Sequence, residues 1–280
     1  MTAKMYSDEK IHSLYEDYMG LKTWPLSRFA KTRKVSIYAL RHGFRRLGLE
    51  VIPQEVTRRK FPVCDTFFES IDSEEKAYCL GFLFADGCNS GRRLEVSLAK
   101  QDRDILEIIS GWLLCGHVNV KEYKSKKKNT QNRVAIYVVS KKLCADLEKL
   151  GCVPRKTFVL KFPEIPQCLH HHFIRGYFDG DGSLTFYKRK QRKSRAACFS
   201  IVSTKEMLLA IGSHFDTLGV RYEINKRHKR RKNNNFTLRV HGNRQINTVC
   251  NFLYKNATVC LARKLKAYQT LLEINHGINA

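Results

Sequence analysis

The sequence predicts an α+β fold. Two pseudo-symmetric halves of order αββαββα pack through one helix from each, and a small all-α helix-turn-helix domain precedes them. Three observations carry this expectation. CLGFLFADG at 79–87 and IRGYFDGDG at 174–182 are near-copies 95 residues apart. Each copy is followed by the same alternation of strand-like and helix-like segments, a repeat on the scale of half the chain. The first 60 or so residues, about a fifth of the chain, lack that repeat and read as short amphipathic helices. The expected divisions are 1–52 for the helical domain, 53–66 for a basic linker, 67–165 for the first half and 166–280 for the second.

The N-terminal region is read first. A helix is expected near 7–19. Phe29 and Ala30, then Val35, then Leu40, Phe44 and Leu47 have the spacing of two short helices around a tight turn. Ser36 is the natural N-cap of the second and Gly48 its stop. Its outer surface then carries Tyr38, Arg41, His42, Arg45 and Arg46. A helix-turn-helix pattern of this kind presents its second helix to a DNA major groove, with Arg41, Arg45 and Arg46 as contacts. A basic helical cap is the alternative. TRRK, between Pro53 and Pro62, marks the linker.

In each motif, small residues lie four apart, Gly81 with Ala85 and Gly176 with Gly180, and therefore share one helix face. Packing the two stripes together brings the backbones close, the logic of small-xxx-small contacts. Asp86 and Asp181 then emerge side by side at the same helix ends. Helix C-termini disfavour negative charge. Two carboxylates about 6 Å apart repel by roughly 3 kcal/mol at an effective dielectric of 20. A divalent cation reverses that sign, since Mg²⁺ is held by one or two carboxylates with waters and phosphate oxygens. For either copy alone, Asp-Gly is also a helix-stopping turn, with Gly87 or Gly182 as the residue after the cap.

Beyond the first motif the pattern gives a turn (88–93), strands at 94–99, 117–123 and 134–139, and helices at 103–115 and 141–150. Beyond the second it gives strands at 183–188, 196–202, 220–226 and 236–240, and helices at 205–218 and 243–254. Three hairpin tips are basic. They lie at 124–133 (with Lys126, Lys127, Lys128 and Arg133), at 188–195 (with Lys188, Arg189, Lys190 and Arg192) and at 227–235 (with Arg230 and Arg231). Arg155-Lys156 and Arg263-Lys264 occupy matching places after each half, and a second copy argues against ordinary solvated loop lysines.

The formal net charge of +25 implies a polyanionic partner, with nucleic acid as the default. No apolar run reaches the length of a spanning helix, and the opening MTAKMYSDEK has no secretion-signal core. The ten cysteines include no Cys-x-x-Cys pair, which excludes zinc-finger and dithiol redox readings on spacing. Cys79, Cys115 and Cys144 read as buried free thiols of an intracellular, reducing compartment. The cytoplasm of a bacterium or phage-infected cell, or an organelle, fits. His170-His171-His172 has no spaced partner ligands and reads as a solvated helix entry.

The paired motifs resemble those of the LAGLIDADG homing endonucleases, in the monomeric form with two copies in one chain. Gly81 and Gly176 take the signature's first glycine, Asp86 and Asp181 its last acidic position, and Gly87 and Gly182 close it. The resemblance spans roughly 68–270. It implies a saddle of strands along double-stranded DNA with a long pseudo-palindromic target, Mg²⁺ (or Mn²⁺) at Asp86 and Asp181, and weaker metal contacts from the backbone at Gly87 and Gly182. It also implies Lys156 and Lys264 near the scissile phosphates, and a double-strand break with short 3′ overhangs. The signature's sixth position is acidic at Asp179 but Phe84 in the first copy, an asymmetry of packing. An RNA maturase acting on host-intron RNA, or a transcription regulator on the same scaffold, are the alternatives.

Overall fold

The computed structural model describes residues 6–21, 23–124, 131–188, 195–227 and 234–277. The chain forms two compact units, Met1–Val63 and Cys64–Ala280.

The first unit holds α1 (Asp8–Gly20), α2 (Leu26–Thr32), α3 (Ile37–Arg46) and a single turn, α4 (Gln54–Thr57). Ser7 and Ser36 cap α1 and α3, each accepting a hydrogen bond from the backbone three residues on, at Lys10 and Ala39. Ile11, Leu14 and Tyr18 of α1 share one face and pack with Phe29 and Ala30 of α2 and Leu40 and Phe44 of α3. Gly48 ends the third helix at φ +67°, as its sequence position requires. These are the expected helices. The stretch expected as a linker carries α4.

The second unit is built from two copies of one plan. The first runs α5 (Glu74–Asp86), β1 (Gly87–Asn89), β2 (Arg93–Ala99), α6 (Arg103–Leu113), β3 (Lys121–Tyr123), β4 (Arg133–Val139), α7 (Lys141–Lys149). The second runs α8 (His170–Asp181), β5 (Gly182–Lys188), β6 (Arg195–Ser203), α9 (Lys205–Thr217), β7 (Glu223–Lys226), β8 (Phe236–His241), α10 (Asn243–Tyr254), followed by α11 (Ala262–Asn275). Both sheets are antiparallel and share the order first-second-fourth-third, β1-β2-β4-β3 and β5-β6-β8-β7.

Period-two patterning places the sheets. Leu94, Val96 and Leu98 of β2 pair with Val138, Ile136 and Val134 of β4, and all six side chains are buried. In the second sheet Phe199 and Ile201 pair with Val240 and Leu238, again buried. Phe178 of α8 stacks on Phe199 at 4.3 Å between ring centroids. Each such buried aromatic contributes on the order of 1.5–3 kcal/mol. The alternate residues face away from the core: Arg93, Glu95 and Ser97 with Arg133, Tyr137 and Val139 in one sheet, and Ser200 with Arg239 and His241 in the other.

Two strands are shorter than the sequence suggests. At 117–120 the backbone turns to Ser110, whose hydroxyl donates to His117 O and accepts from Asn119 N, so β3 begins only at Lys121. Arg221 N donates to Gln245 Oε1 rather than to a strand, so β7 begins at Glu223. Cys115 is exposed, not buried: it lies past the end of α6 with φ +50°, while Cys79 and Cys144 are buried as expected. The histidine run is half-buried rather than solvated. His170 lies 3.1 Å from His214 and 3.0 Å from Ile165 O, and desolvation pushes His172 down to about 4. No helix among the described residues is long and apolar enough to cross a membrane.

Candidate active site

The site is set by how closely α5 and α8 approach. Every residue from Ala77 to Phe84 is buried, so α5 is wrapped by protein on all sides. Capping by Ser73, with Glu74 and Glu75 in the first turn, starts this helix. A Cβ added at Gly81 would overlap Phe173 O and stand 2.9 Å from Tyr177 N. One added at Gly176 would overlap Tyr78 O and stand 2.9 Å from Phe82 N. The two helices thus touch backbone to backbone through reciprocal glycines. Nearer the C-terminal ends, a Cβ at Gly180 would overlap the methyl of Ala85 and lie 3.0 Å from Asp86 Oδ2.

Asp86 and Asp181 are the last residues of the two helices, and the chain passes directly from each into a strand. Gly87 and Gly182 are therefore extended, at φ −76° and −84°, and are not left-handed helix stops. Their lack of a side chain serves space. A Cβ at Gly87 would lie 2.6 Å from Leu83 O, and one at Gly182 would overlap Phe178.

The electrostatics match the close approach. Burial, then the negative charge of Asp181, pushes the Asp86 carboxyl up to about 6, against a pull downward from Lys156 and Arg263. Asp181 reaches solvent but has protein packed around it, and the resulting desolvation raises it too. Lys156, a hydrogen bond from Tyr177, Arg227 and Lys264 oppose that rise.

Lys156 and Lys264 are buried, not solvated. Lys156 follows Arg155, which is left-handed at φ +57°, and sits in a single 3-10 turn. Its Nζ donates to Gly87 O and, at 3.5 Å, to Ala85 O. Lys264, in the first turn of α11, donates to Gly182 O and lies 4.7 Å from the centre of the Phe178 ring. Each ammonium thus caps the carbonyl end of a motif helix, where a cation is favoured. Burial, then Arg263, brings Lys264 down to about 8. The Gly87 and Gly182 carbonyls, candidate metal contacts from the sequence, each accept a hydrogen bond from one of these ammonium groups.

Around the carboxylates lie groups that motif reading missed. Tyr177, one helical turn before Asp181, is hydrogen-bonded to Ser203 Oγ at 2.8 Å. Tyr177, Ser203, Lys156, Asp181 and Asn235 line a pocket of about 50 Å³. Arg263 Nε reaches both oxygens of the buried Asp102, at 2.9 and 3.1 Å. The i−4 spacing of Tyr177 was a usable signal; the others come from distant segments.

A second polar cluster holds the helix pair from behind. Arg175 is fully buried, donating to Glu74, Val259 O and Leu253 O. Asp179 accepts from Tyr254 at 2.6 Å, Leu261 N at 2.7 Å and Tyr78 at 2.8 Å. Its counterpart Phe84 instead packs edge-on against Phe173 at 5.2 Å. Both positions are interior packing positions. Two charged residues inside the second apolar motif, Arg175 and Asp179, were the signal for it.

Of the residues expected to touch nucleic acid, Arg41 and Arg45 are exposed on α3. Arg46 is ion-paired with Asp8 of α1. Arg133 and Lys188 are exposed at strand ends. Lys126, Lys127, Lys128, Arg189, Lys190, Arg192, Arg230 and Arg231 lie outside the described residues. Among the described residues no cluster of three or more His, Cys, Asp or Glu side chains could hold a metal.

Residues 169–252 match the family model of the LAGLIDADG-like domain. No curated protein matches the chain. Among solved structures it is similar to the LAGLIDADG homing endonuclease I-GzeII in complex with a DNA target, at 13% identity and a TM-score of 0.50, over 71% of this chain and 88% of that one. It is similar also to the I-LtrWI LAGLIDADG homing endonuclease bound to target DNA, at 14% identity and a TM-score of 0.50, over 73% and 90%.

Proposed function

We propose that this chain, which carries a LAGLIDADG-like domain and the two-half fold of the LAGLIDADG homing endonucleases, is a site-specific double-strand DNA endonuclease. The observation that carries the reading is the pair of carboxylates, Asp86 and Asp181, held at one end of a backbone-tight helix pair beside an ammonium from each half. The fold alone is compatible with a DNA-binding protein without chemistry, but two acids raised by burial side by side are the pattern of a functional site.

The donor set fits a hard divalent cation. Two carboxylates, with no nitrogen or sulfur ligand beside them among the described residues, suit Mg²⁺ or Mn²⁺ completed by water and phosphate oxygens. Such an ion supplies charge neutralisation and Lewis acidity at the scissile phosphate. The chain's own residues do the rest. Asp86 and Asp181 would hold such an ion, and through it the scissile phosphates would be kept in register. Lys156 and Lys264, already desolvated, stabilise charge that grows on phosphate oxygens during cleavage. The sheet faces bearing Arg93, Tyr137, Arg239 and His241 lie along the duplex, one half per strand, and the product carries short 3′ overhangs. Within the first unit, the exposed Tyr38, Arg41, His42 and Arg45 of α3 extend the recognition site.

The test is Mg²⁺-dependent digestion of a plasmid library carrying random fragments with the full chain. One family of staggered cuts at a long common site is expected. Binding without cutting in Mg²⁺ and in Mn²⁺ would overturn the reading in favour of a regulator, and selective binding of structured RNA in favour of a maturase.

A further inference from the structure

Among the described residues the carboxamide oxygen of Asn235 has no hydrogen-bond partner, and it is sealed from bulk solvent. It lines the same pocket as Asp181, Lys156, Tyr177 and Ser203. Leaving such an oxygen unpaired costs roughly 1–3 kcal/mol, so a buried acceptor of this kind calls for a donor. The pocket measures about 50 Å³, against the roughly 10–15 Å³ that one water needs.

The surrounding groups define what fits. Tyr177 and Ser203 share a hydrogen bond of 2.8 Å, and with the one Tyr177 hydroxyl hydrogen given to Asp181 the Ser203 hydroxyl is spent on Tyr177. Lys156 supplies N–H donors, and Asp181 is an acceptor. A water placed among them donates to Asn235 Oδ1 and to Asp181, and accepts from Lys156. That gives it three partners, the usual number for a buried water. An anion in this space would face two acceptor oxygens, those of Asn235 and Asp181.

The two halves differ here. The residue matching Tyr177 in the first motif is Phe82, which has no hydroxyl to offer near Asp86. Asn235 itself immediately precedes β8, opposite the end of β6, where Ser203 pairs with Phe236. Fold topology therefore brings Asn235 and Ser203 to the same sheet end as Asp181.

We infer that Asn235 is a positioning residue which, with Lys156, holds one water beside Asp181 for the strand cut at that centre. This rests on the endonuclease reading. In the step it serves, the water oxygen forms a bond to phosphorus as the bond from phosphorus to the leaving deoxyribose oxygen breaks. The water's proton leaves to solvent and the leaving oxygen takes one from solvent.

The experiment uses the full chain and a duplex target labelled separately on each strand, under single-turnover conditions. Asn235→Ala should slow nicking of one strand about tenfold or more, with the other strand and DNA affinity unchanged. Asn235→Asp, which keeps the acceptor oxygen, should restore most of that rate. Equal slowing of both strands, or none, overturns the inference while leaving the endonuclease reading intact. A crystal structure of the wild-type chain decides the water independently of cutting. Ordered solvent within hydrogen-bond distance of Asn235 Oδ1 is expected there, and a dry pocket overturns the proposal even if no DNA is cut.

Discussion

Replacing Gly81 with alanine tests the helix contact on which the site depends. The new methyl would overlap Phe173 O and stand 2.9 Å from Tyr177 N, and both obstacles are backbone of α8 that cannot rotate away. Restoring ordinary carbon contacts of about 3.5–4 Å requires the helices to part by something near an ångström. Overpacking of this kind costs typically 1–3 kcal/mol, and a rigid obstacle favours the upper end. Alanine's better helix propensity returns up to about 1 kcal/mol, leaving a net loss of roughly 1–2 kcal/mol. Gly111, in α6, is the control: nothing lies within 4 Å of an added Cβ, so Gly111→Ala should be neutral or stabilising. Urea unfolding followed through Trp112 reads both variants. A Gly81→Ala protein as stable as Gly111→Ala would refute the backbone-contact argument.

Three further outcomes follow from the charges. Glu74→Ala strands the fully buried Arg175 guanidinium and should cost about 3–5 kcal/mol in urea unfolding, far more than an exposed carboxylate would. The Asp86 carboxyl lies above its ordinary 3.8, at about 6. In metal-free buffer its contribution to stability is therefore full below pH 3.8 and lost as pH rises through 6, and Asp86→Asn should flatten unfolding measurements across that window. DNA affinity should fall steeply with salt, the logarithmic slope being near −0.9 per neutralised phosphate, and a flat profile in a titration would contradict the basic-groove reading.

Local and periodic features were legible in the sequence. The paired motif helices, the matching strand orders, Ser36 as a cap and Gly48 as a stop all follow from spacing and from residue chemistry acting within a few positions. Other features depend on what arrives from far along the chain. Arg175 and Glu74 meet across 101 residues, and Lys264 reaches Gly182 across 82. The glycines after each aspartate looked like turn formers, yet they are extended and serve close packing, because the strand begins where the helix ends. The lysines looked like loop residues until the fold buried them against carbonyls. Asn235 carried no signal at all, since its pocket is assembled from five separate segments.

Strand-resolved cleavage of a target duplex in Mg²⁺ by Asp86→Asn and Asp181→Asn, beside the wild-type chain, tests the central claim most directly. Each substitution should abolish double-strand breakage, with DNA affinity in the same buffer within about threefold of wild type, a difference of under 1 kcal/mol. Wild-type rates of double-strand cleavage in either variant would remove the two aspartates from the active centre.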